Sequence, residues 1–255
     1  MDDVRGALAA NLAELRKEEN LTQAEFAAQF NYSDKAVSKW ERGDSLPDVV
    51  MLKTIADLYG LRVDDLLTAG GVAAARAEAE ATIKKCAKDG ATFCLIHHAS
   101  AEQLVNKNKR TMDRLPDYLD MIRQHGMIPG LSAHMPELIQ YSDANEYDVQ
   151  TYVQIYNCMG FLMQIEVEGV NSVIWNAKKP VMSIKSMAAG RCTPFVGLSF
   201  SYATLRPCDM VTLGAFTPDE VHEDVEIAMA TIEHRHPLLG RRSSPVMTSI
   251  LETRK

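Results

Sequence analysis

Apolar residues recur at helical spacing near the start of the chain. Leu8, Leu12 and Leu15 fall on one face of a helix predicted at residues 4–17. Thr22 follows, with a glutamate three residues later, and this pair forms a capping box in which hydroxyl and carboxylate satisfy reciprocal backbone donors. A second helix is therefore predicted just after this threonine, and both apolar faces need a partner to pack against.

Three more short helices are predicted before residue 68. Ser33 can cap a helix in which Val37 and Trp40 point one way while polar side chains point the other. The next helix is predicted to have Pro47 at or near its first position and to stop at Gly60. Its apolar positions follow an i, i+3, i+4, i+7 pattern and are Leu52, Ile55, Ala56 and Tyr59. A short fifth helix is suggested by Val63, Leu66 and Leu67.

Three strings in this region follow one known pattern: LTQAEFA at 21–27, SDKAVSKWERG at 33–43, and LPD at 46–48. With the five helices they resemble the lambda-repressor-like (XRE) helix-turn-helix domain over residues 11–67. The resemblance implies a sequence-specific regulator of transcription that binds double-stranded DNA, with the third helix in the major groove. It implies base-reading side chains at Asp34, Lys35, Ser38 and Lys39. It also implies phosphate contacts at Gln23 and Arg42.

The pattern of apolar and polar residues changes after residue 90. Short β-type runs at 92–98, 127–132, 149–157, 181–187 and 210–216 alternate with amphipathic segments at 112–124, 136–145, 159–176, 194–205 and 218–232. This alternation predicts about five parallel β/α units. We therefore expect a multidomain protein with an all-α helix-turn-helix domain at 1–67 and a linker and helix at 68–90. An α/β domain at 91–240 and a C-terminal tail at 241–255 would follow.

Three loose motifs lie in the second region: CLIHH at 94–98, PVMSIK leading to AAGR at 180–191, and VTLGAFTPDEV at 211–221. Together they resemble strands four to eight of a (β/α)8 barrel, with a distant similarity to aldo/keto reductases. Of the four catalytic residues that this similarity implies, only the histidine has a counterpart, His97. Reductase activity by that mechanism is therefore not expected. No cofactor is predicted, and NADP belongs only to the alternative in which the chain is an oxidoreductase or another barrel enzyme.

A ligand pocket is still predicted where the strands end, because their C-terminal side chains gather on one face of a barrel. The side chains expected there are His97, His98, Ser132, His134, Asn157 and Lys185. A phosphate subsite would place Arg191 near the turn from Gly214 to Thr217. Neighbouring residues on a strand point to opposite faces, so the two adjacent histidines cannot easily bind one ion, and no metal is predicted.

Composition and charge change this picture only in part. The chain has 255 residues, 46% of them apolar, a net charge of −7 and no apolar run long enough for a bilayer. We expect a soluble, cytoplasmic protein without a signal peptide or membrane partner. The net charge of −7 argues against a protein that coats nucleic acid non-specifically, and the thirteen acidic and eight basic side chains of residues 1–67 predict a modest affinity for DNA.

Several functions remain open at this point. The main hypothesis is a DNA-binding regulator whose second domain senses a small-molecule effector or mediates assembly. A partial barrel leaves open sheet edges that need cover, from the linker helix at 72–85, from the helix-turn-helix domain, or from a second copy of the chain, and we expect the homodimer. The alternatives are an enzyme with a DNA-binding appendage, a helix-turn-helix domain used for protein interaction, and a fused or truncated coding sequence whose second half is a relic.

Overall fold

A computed structural model describes residues 3–107 and 109–239 of the chain. The chain divides into two units between Tyr152 and Val153, within strand β5 (Thr151–Ile155). The predicted C-terminal tail, residues 241–255, lies outside the described residues.

The first unit begins with all five helices that the sequence predicts. They are α1 (Val4–Glu18), α2 (Gln23–Ala28), α3 (Asp34–Glu41), α4 (Val49–Leu58) and α5 (Val63–Leu67). Their apolar faces meet in one core around Leu12, Phe26 and Ile55, each of which is fully buried. The helices are short, so this shared core supplies most of their stability.

Side-chain caps set the helix starts. The capping box is present: the Thr22 hydroxyl accepts from the Glu25 N–H at 3.2 Å, and the Glu25 carboxylate accepts from the Thr22 N–H at 2.8 Å. The predicted start of α4 is wrong by about two residues. The Asp48 carboxylate accepts from the Met51 N–H at 2.8 Å, so Asp48 is the cap and Pro47 precedes it.

Helix α6 (Gly71–Lys88) follows the five-helix bundle. Gly70 has a φ of +65°, which only glycine adopts without strain. A Cβ on Gly71 would lie 2.2 Å from the carbonyl oxygen of Asp65. The Gly70-Gly71 pair is therefore a place of close backbone packing.

The rest of the first unit has parallel and antiparallel strands. It contains β1 (Phe93–Ile96), α7 (His98–Ala101), β2 (Val105–Asn106), β3 (Thr111–Met112), α8 (Leu115–Gln124), β4 (Ile128–Ala133) and α9 (Glu137–Ala144). Strands β1 and β4 pair in parallel, with Phe93 opposite Ile128. Helix α8 begins three residues later than predicted, with Pro116 in its first turn, where a missing N–H costs nothing.

The second unit continues the alternation of helices and strands. It contains α10 (Val167–Asn176), β6 (Val181–Ile184), α11 (Pro194–Thr204), β7 (Met210–Val211) and α12 (Pro218–Ile232). Strands β6 and β7 pair in parallel, with Met182 opposite Met210. The predicted parallel sheet of five strands is confirmed, and its strand order is β1-β4-β5-β6-β7.

The helix predicted at 159–176 begins eight residues late, at Val167. The cause is the buried amide of Asn157, which accepts from the Phe161 N–H at 2.9 Å and donates to the Phe161 carbonyl at 3.0 Å. These two bonds hold a turn where the apolar pattern indicated a helix.

A largely buried ion pair ties α1 to α3. Arg16 donates to both carboxylate oxygens of Glu41, at 2.6 and 3.1 Å, and the two side chains are only 17% and 8% exposed. Gln23, at the start of α2, donates to the same carboxylate at 2.8 Å. Burial raises the pKa of Glu41, but hydrogen bonds from Arg16 and Gln23 outweigh it and lower the pKa overall. One carboxylate therefore joins three helices.

We predict that Glu41→Gln lowers the free energy of unfolding of the bundle by about 3 kcal/mol at neutral pH, because it leaves the Arg16 charge buried without a counterion. Urea unfolding, followed by Trp40 fluorescence in a Trp175→Phe background, would measure the decrease.

Asp44→Asn is the matched control, because Asp44 pairs with arginine at the surface, and we expect it to cost less than about 1 kcal/mol. A carboxyl with a lowered folded pKa stabilises above its unfolded pKa and loses that contribution as pH falls through the folded value. The difference between parent and Glu41→Gln should therefore shrink in acid. Equal destabilisation by the two variants would contradict the assignment.

Candidate nucleic-acid interface

Helices α2 and α3 are joined by a tight turn. Asn31 takes a φ of +58°, a conformation that asparagine tolerates better than most residues, and the Tyr32 N–H donates to the Ala27 carbonyl at 3.0 Å. Val37 is fully buried and Trp40 is 4% exposed, as the sequence predicts. These two anchors fix the rotation of α3 about its axis, so its opposite side faces outward.

Two lysines dominate the outward side of α3. Lys35 and Lys39 are exposed and lie one helical turn apart, so their ammonium groups belong to the same face. Among the described residues neither lysine forms an ion pair, which leaves both charges available to a ligand. Asp34 is also exposed, but one of its carboxylate oxygens accepts from the Lys35 N–H at 2.8 Å.

Ser38 and Arg42 are linked on the same face. The Arg42 guanidinium donates to the Ser38 hydroxyl at 2.9 Å and to the Asp44 carboxylate at 2.8 Å. The Arg42 and Asp44 side chains are more than half exposed, so this pair is weak and can exchange for a phosphate.

The structure gives Gln23 a partner that sequence reasoning missed. Its amide nitrogen donates to Glu41, at the junction of α1, α2 and α3. In the sequence Glu41 stands out only as the residue that follows Trp40 in the motif. An acidic residue next to a buried tryptophan, with an arginine on the facing helix, was the one available indication of a buried pair.

Three residues of the predicted ligand pocket come together in the first unit. The His97 and His98 rings are 4.0 Å apart between centroids, and the His98 and His134 rings are 3.6 Å apart. The His134 N–H donates to the Glu102 carboxylate at 2.9 Å, and Ser132 is half-buried on β4. Within the described ranges no group of three or more histidine, cysteine or acidic side chains is arranged to hold a metal ion.

The other predicted pocket residues lie in the second unit, where their polar groups serve local structure. Asn157 holds the turn described above. Arg191 lies 3.8 Å over the Phe161 ring and donates to the Ala188 carbonyl at 3.2 Å. The Thr217 hydroxyl caps α12 by accepting from the Glu220 N–H at 3.2 Å. The two remaining positions are Lys185, with a φ of +59°, and Gly214, and both are exposed.

Two further findings concern more of the chain than the candidate site. No solved structure matches it significantly. In residues 3–107 and 109–239, none of the helices combines the length and the apolar character that crossing a membrane requires.

Relatives match the N-terminal part only. The chain is 40% identical over 57 residues to the HTH-type transcriptional activator BcrR of Enterococcus faecalis, a match that covers 22% of this chain and 28% of the activator. It is 36% identical over 66 residues to the uncharacterized HTH-type transcriptional regulator y4dJ of Sinorhizobium fredii, covering 26% of this chain and 86% of the regulator. A family model described as helix-turn-helix matches residues 12–66. Through this segment, which holds the buried Glu41 carboxylate and the outward lysines of α3, the chain belongs to the helix-turn-helix family.

Proposed function

We propose that this protein is a sequence-specific transcriptional regulator that reads double-stranded DNA with α3. The observation that carries the proposal is the lysine pair of α3, because Lys35 and Lys39 are exposed and unpaired among the described residues on a helix whose rotation two buried side chains fix. Both relatives named above carry transcriptional regulation in their names, which favours the same use here.

The side chains of this face divide into two roles. Lys35 and Lys39 can donate to guanine acceptors in the major groove, and Ser38 and Asp34 can adjust to neighbouring base edges. Arg42 would contact phosphate after releasing Asp44, and Gln23 would contact phosphate from the start of α2. Residues 1–67 are acidic overall, so few phosphate contacts are available and base contacts must supply much of the affinity.

We predict that replacing Lys35 and Lys39 together with alanine weakens binding to the preferred DNA sequence by about 2 to 6 kcal/mol, because each lysine that reads a base edge contributes about 1 to 3 kcal/mol. The preferred sequence would first be selected from random DNA with the purified protein, and affinities would be measured at one fixed salt concentration.

The control is the double variant Lys84→Ala and Lys88→Ala, which removes the same charge from exposed positions of α6 at the same spacing. It should bind with nearly parental affinity. A folded Lys35/Lys39 variant that binds as tightly as the control would refute the reading role of α3.

We propose that residues 68–90 act as a linker and that residues 91–240 form an α/β module for ligand sensing or oligomerisation. The strands of the sheet neighbour one another in chain order, apart from the short β2–β3 hairpin. Consecutive units of a (β/α) barrel have that order, which supports the partial-barrel interpretation of this module.

We further propose that a second copy of the chain covers an apolar stripe on α12. Val221, Val225, Met229 and Ile232 are each between 42% and 55% exposed. Their spacing places them on one helix face, and a continuous exposed apolar stripe of this kind is typical of a surface that contacts another protein. A two-fold axis would pair the stripe with itself and would hold two reading helices for paired half-sites, which compensates for the weak affinity of one acidic bundle.

We predict that the full-length protein sediments as a dimer at tens of micromolar and that Val225→Glu with Met229→Glu makes it a monomer, because burying two carboxylates in the interface is costly. Ala73→Glu with Ala77→Glu adds two carboxylates at the same spacing to exposed positions of α6 and should leave the dimer intact. A parental protein that remains monomeric, or a double variant that remains dimeric, would contradict this interface.

A further inference from the structure

A cavity of about 440 Å³ lies inside the first unit. The bundle contributes the end of α1, residues 59–62 between α4 and α5, and Asp65 of α5. The remaining walls come from α6, from β1 and the start of α7, from Leu104, and from α8 with the residue that precedes it. The cavity therefore lies between the DNA-binding bundle and the first elements of the α/β fold.

The interior of the cavity is mainly apolar. Its walls include Val72 and Ile83 of α6, Ile96 of β1, and Met121 and Ile122 of α8. A cavity of this size with apolar walls and a few polar groups is the usual form of a site for a small organic molecule. It differs from the pocket predicted from the sequence, with which it shares only His97.

The ion pairs that Arg114 forms beside the cavity are long. Arg114 has a side chain only 10% exposed, and its guanidinium lies between carboxylates of Glu18, Glu19 and Asp117 at 3.6, 3.7 and 3.4 Å. Hydrogen-bonded charge pairs lie closer, at about 2.7 to 2.9 Å. None of these carboxylates is therefore tightly held by Arg114.

The cavity is lined by four carboxylates, those of Glu18, Asp65, Glu78 and Asp117, and by three guanidinium groups, those of Arg62, Arg76 and Arg114, so carboxylates are in excess by one. Glu18 is shared between Arg114 and Arg76, which lies 3.3 Å from it. Glu78, which also lines the cavity, forms no ion pair among the described residues. Glu19 does not line the cavity but lies beside Arg114, and burial and the neighbouring carboxylates, including Asp117 and Glu18, raise its pKa against the opposing effect of Arg114. A ligand with a positive charge would relieve this crowding, whereas an anion would add to it.

We propose that this cavity binds a small molecule with an apolar body and a basic nitrogen, and that this molecule is an effector of DNA binding. The apolar body would fill the space between α6 and α8, and the ammonium group would lie near the carboxylates of Asp117 and Glu78. The effector role rests on the proposed function, whereas binding of the amine does not.

Ligand binding can be coupled to DNA binding because the bundle and α6 both form walls of the cavity. A ligand in the cavity contacts both the bundle and α6, so it favours the arrangement of these elements that it fits best. If that arrangement changes the affinity for DNA, then DNA must change the affinity for the ligand by the same factor.

Three probes of matched shape test the chemistry: phenylbutylamine, phenylbutanol and phenylbutyrate. Calorimetric titration of the full-length protein should give the tightest binding for the amine, weaker binding for the alcohol and the weakest for the acid. Equal affinities, or tighter binding of the acid, would overturn the proposal.

Two pairs of variants locate the site. Ala79→Phe fills the cavity from α6 and should weaken amine binding at least tenfold, whereas Ala77→Phe, exposed on the same helix, should not. Asp117→Asn should weaken binding of the amine about threefold and leave the alcohol unchanged, because an exposed charge pair contributes below about 1 kcal/mol. Asp120→Asn, also exposed on α8, makes the same charge change away from the cavity. If each variant behaves like its control, the amine binds elsewhere and the proposal fails.

The effector role has its own measurement. Saturating amine should change the affinity of the parental protein for its selected DNA at least about fivefold, in the usual range of allosteric coupling, and should have no effect on Ala79→Phe. An unchanged affinity would overturn the effector role. A protein that binds no DNA would instead refute the proposed function, while the titrations would still decide whether the cavity binds the amine.

Discussion

The Glu41 carboxylate is the junction on which the helix-turn-helix bundle depends. It receives hydrogen bonds from Arg16 on α1 and Gln23 on α2, while it belongs to α3 itself. A buried pair of this kind contributes little net stability compared with an apolar replacement, but it tolerates only one geometry. Together with the neighbouring Trp40, it holds α3 at one rotation and one distance from α1. Helical spacing puts Lys35 and Lys39 on one face, and this constraint keeps that face turned away from α1.

Local features of the fold could be predicted from the sequence. The capping box at Thr22, the five helices and the five parallel strands all come from patterns within a few residues of one another. Two predicted helix starts were wrong because a side chain accepts a hydrogen bond from a backbone N–H there, as Asn157 does before α10 and Asp48 does before α4. The β2–β3 hairpin was missed because strands of two residues are too short to show an alternating pattern.

In the candidate site, too, features set by local spacing could be predicted and features set by contacts between separate segments could not. The orientation of Lys35 and Lys39 could be predicted because it depends only on helical spacing from Val37 and Trp40. The partner of Gln23 and the link between Ser38 and Arg42 could not, because each depends on how separate segments meet. The cavity beside Arg114 was missed for a stronger reason. Its walls come from six separate segments between Glu18 and Ile122, and no local pattern records an empty space.

The excess of acidic side chains in residues 1–67 connects the outward face of α3 with the cavity. Residues 1–67, with thirteen acidic and eight basic side chains, would gain little from general attraction to DNA, so under the proposed function affinity would depend on the placement of a few contacts on α3. Affinity of this kind is sensitive to small movements, because directional contacts to base edges tolerate less displacement than long-range attraction does. The segment from Tyr59 to Asp65 lines the cavity and also packs in the same core as Trp40. A molecule bound there would act on the core that orients α3, and under the proposed function that orientation would be the main source of affinity for DNA.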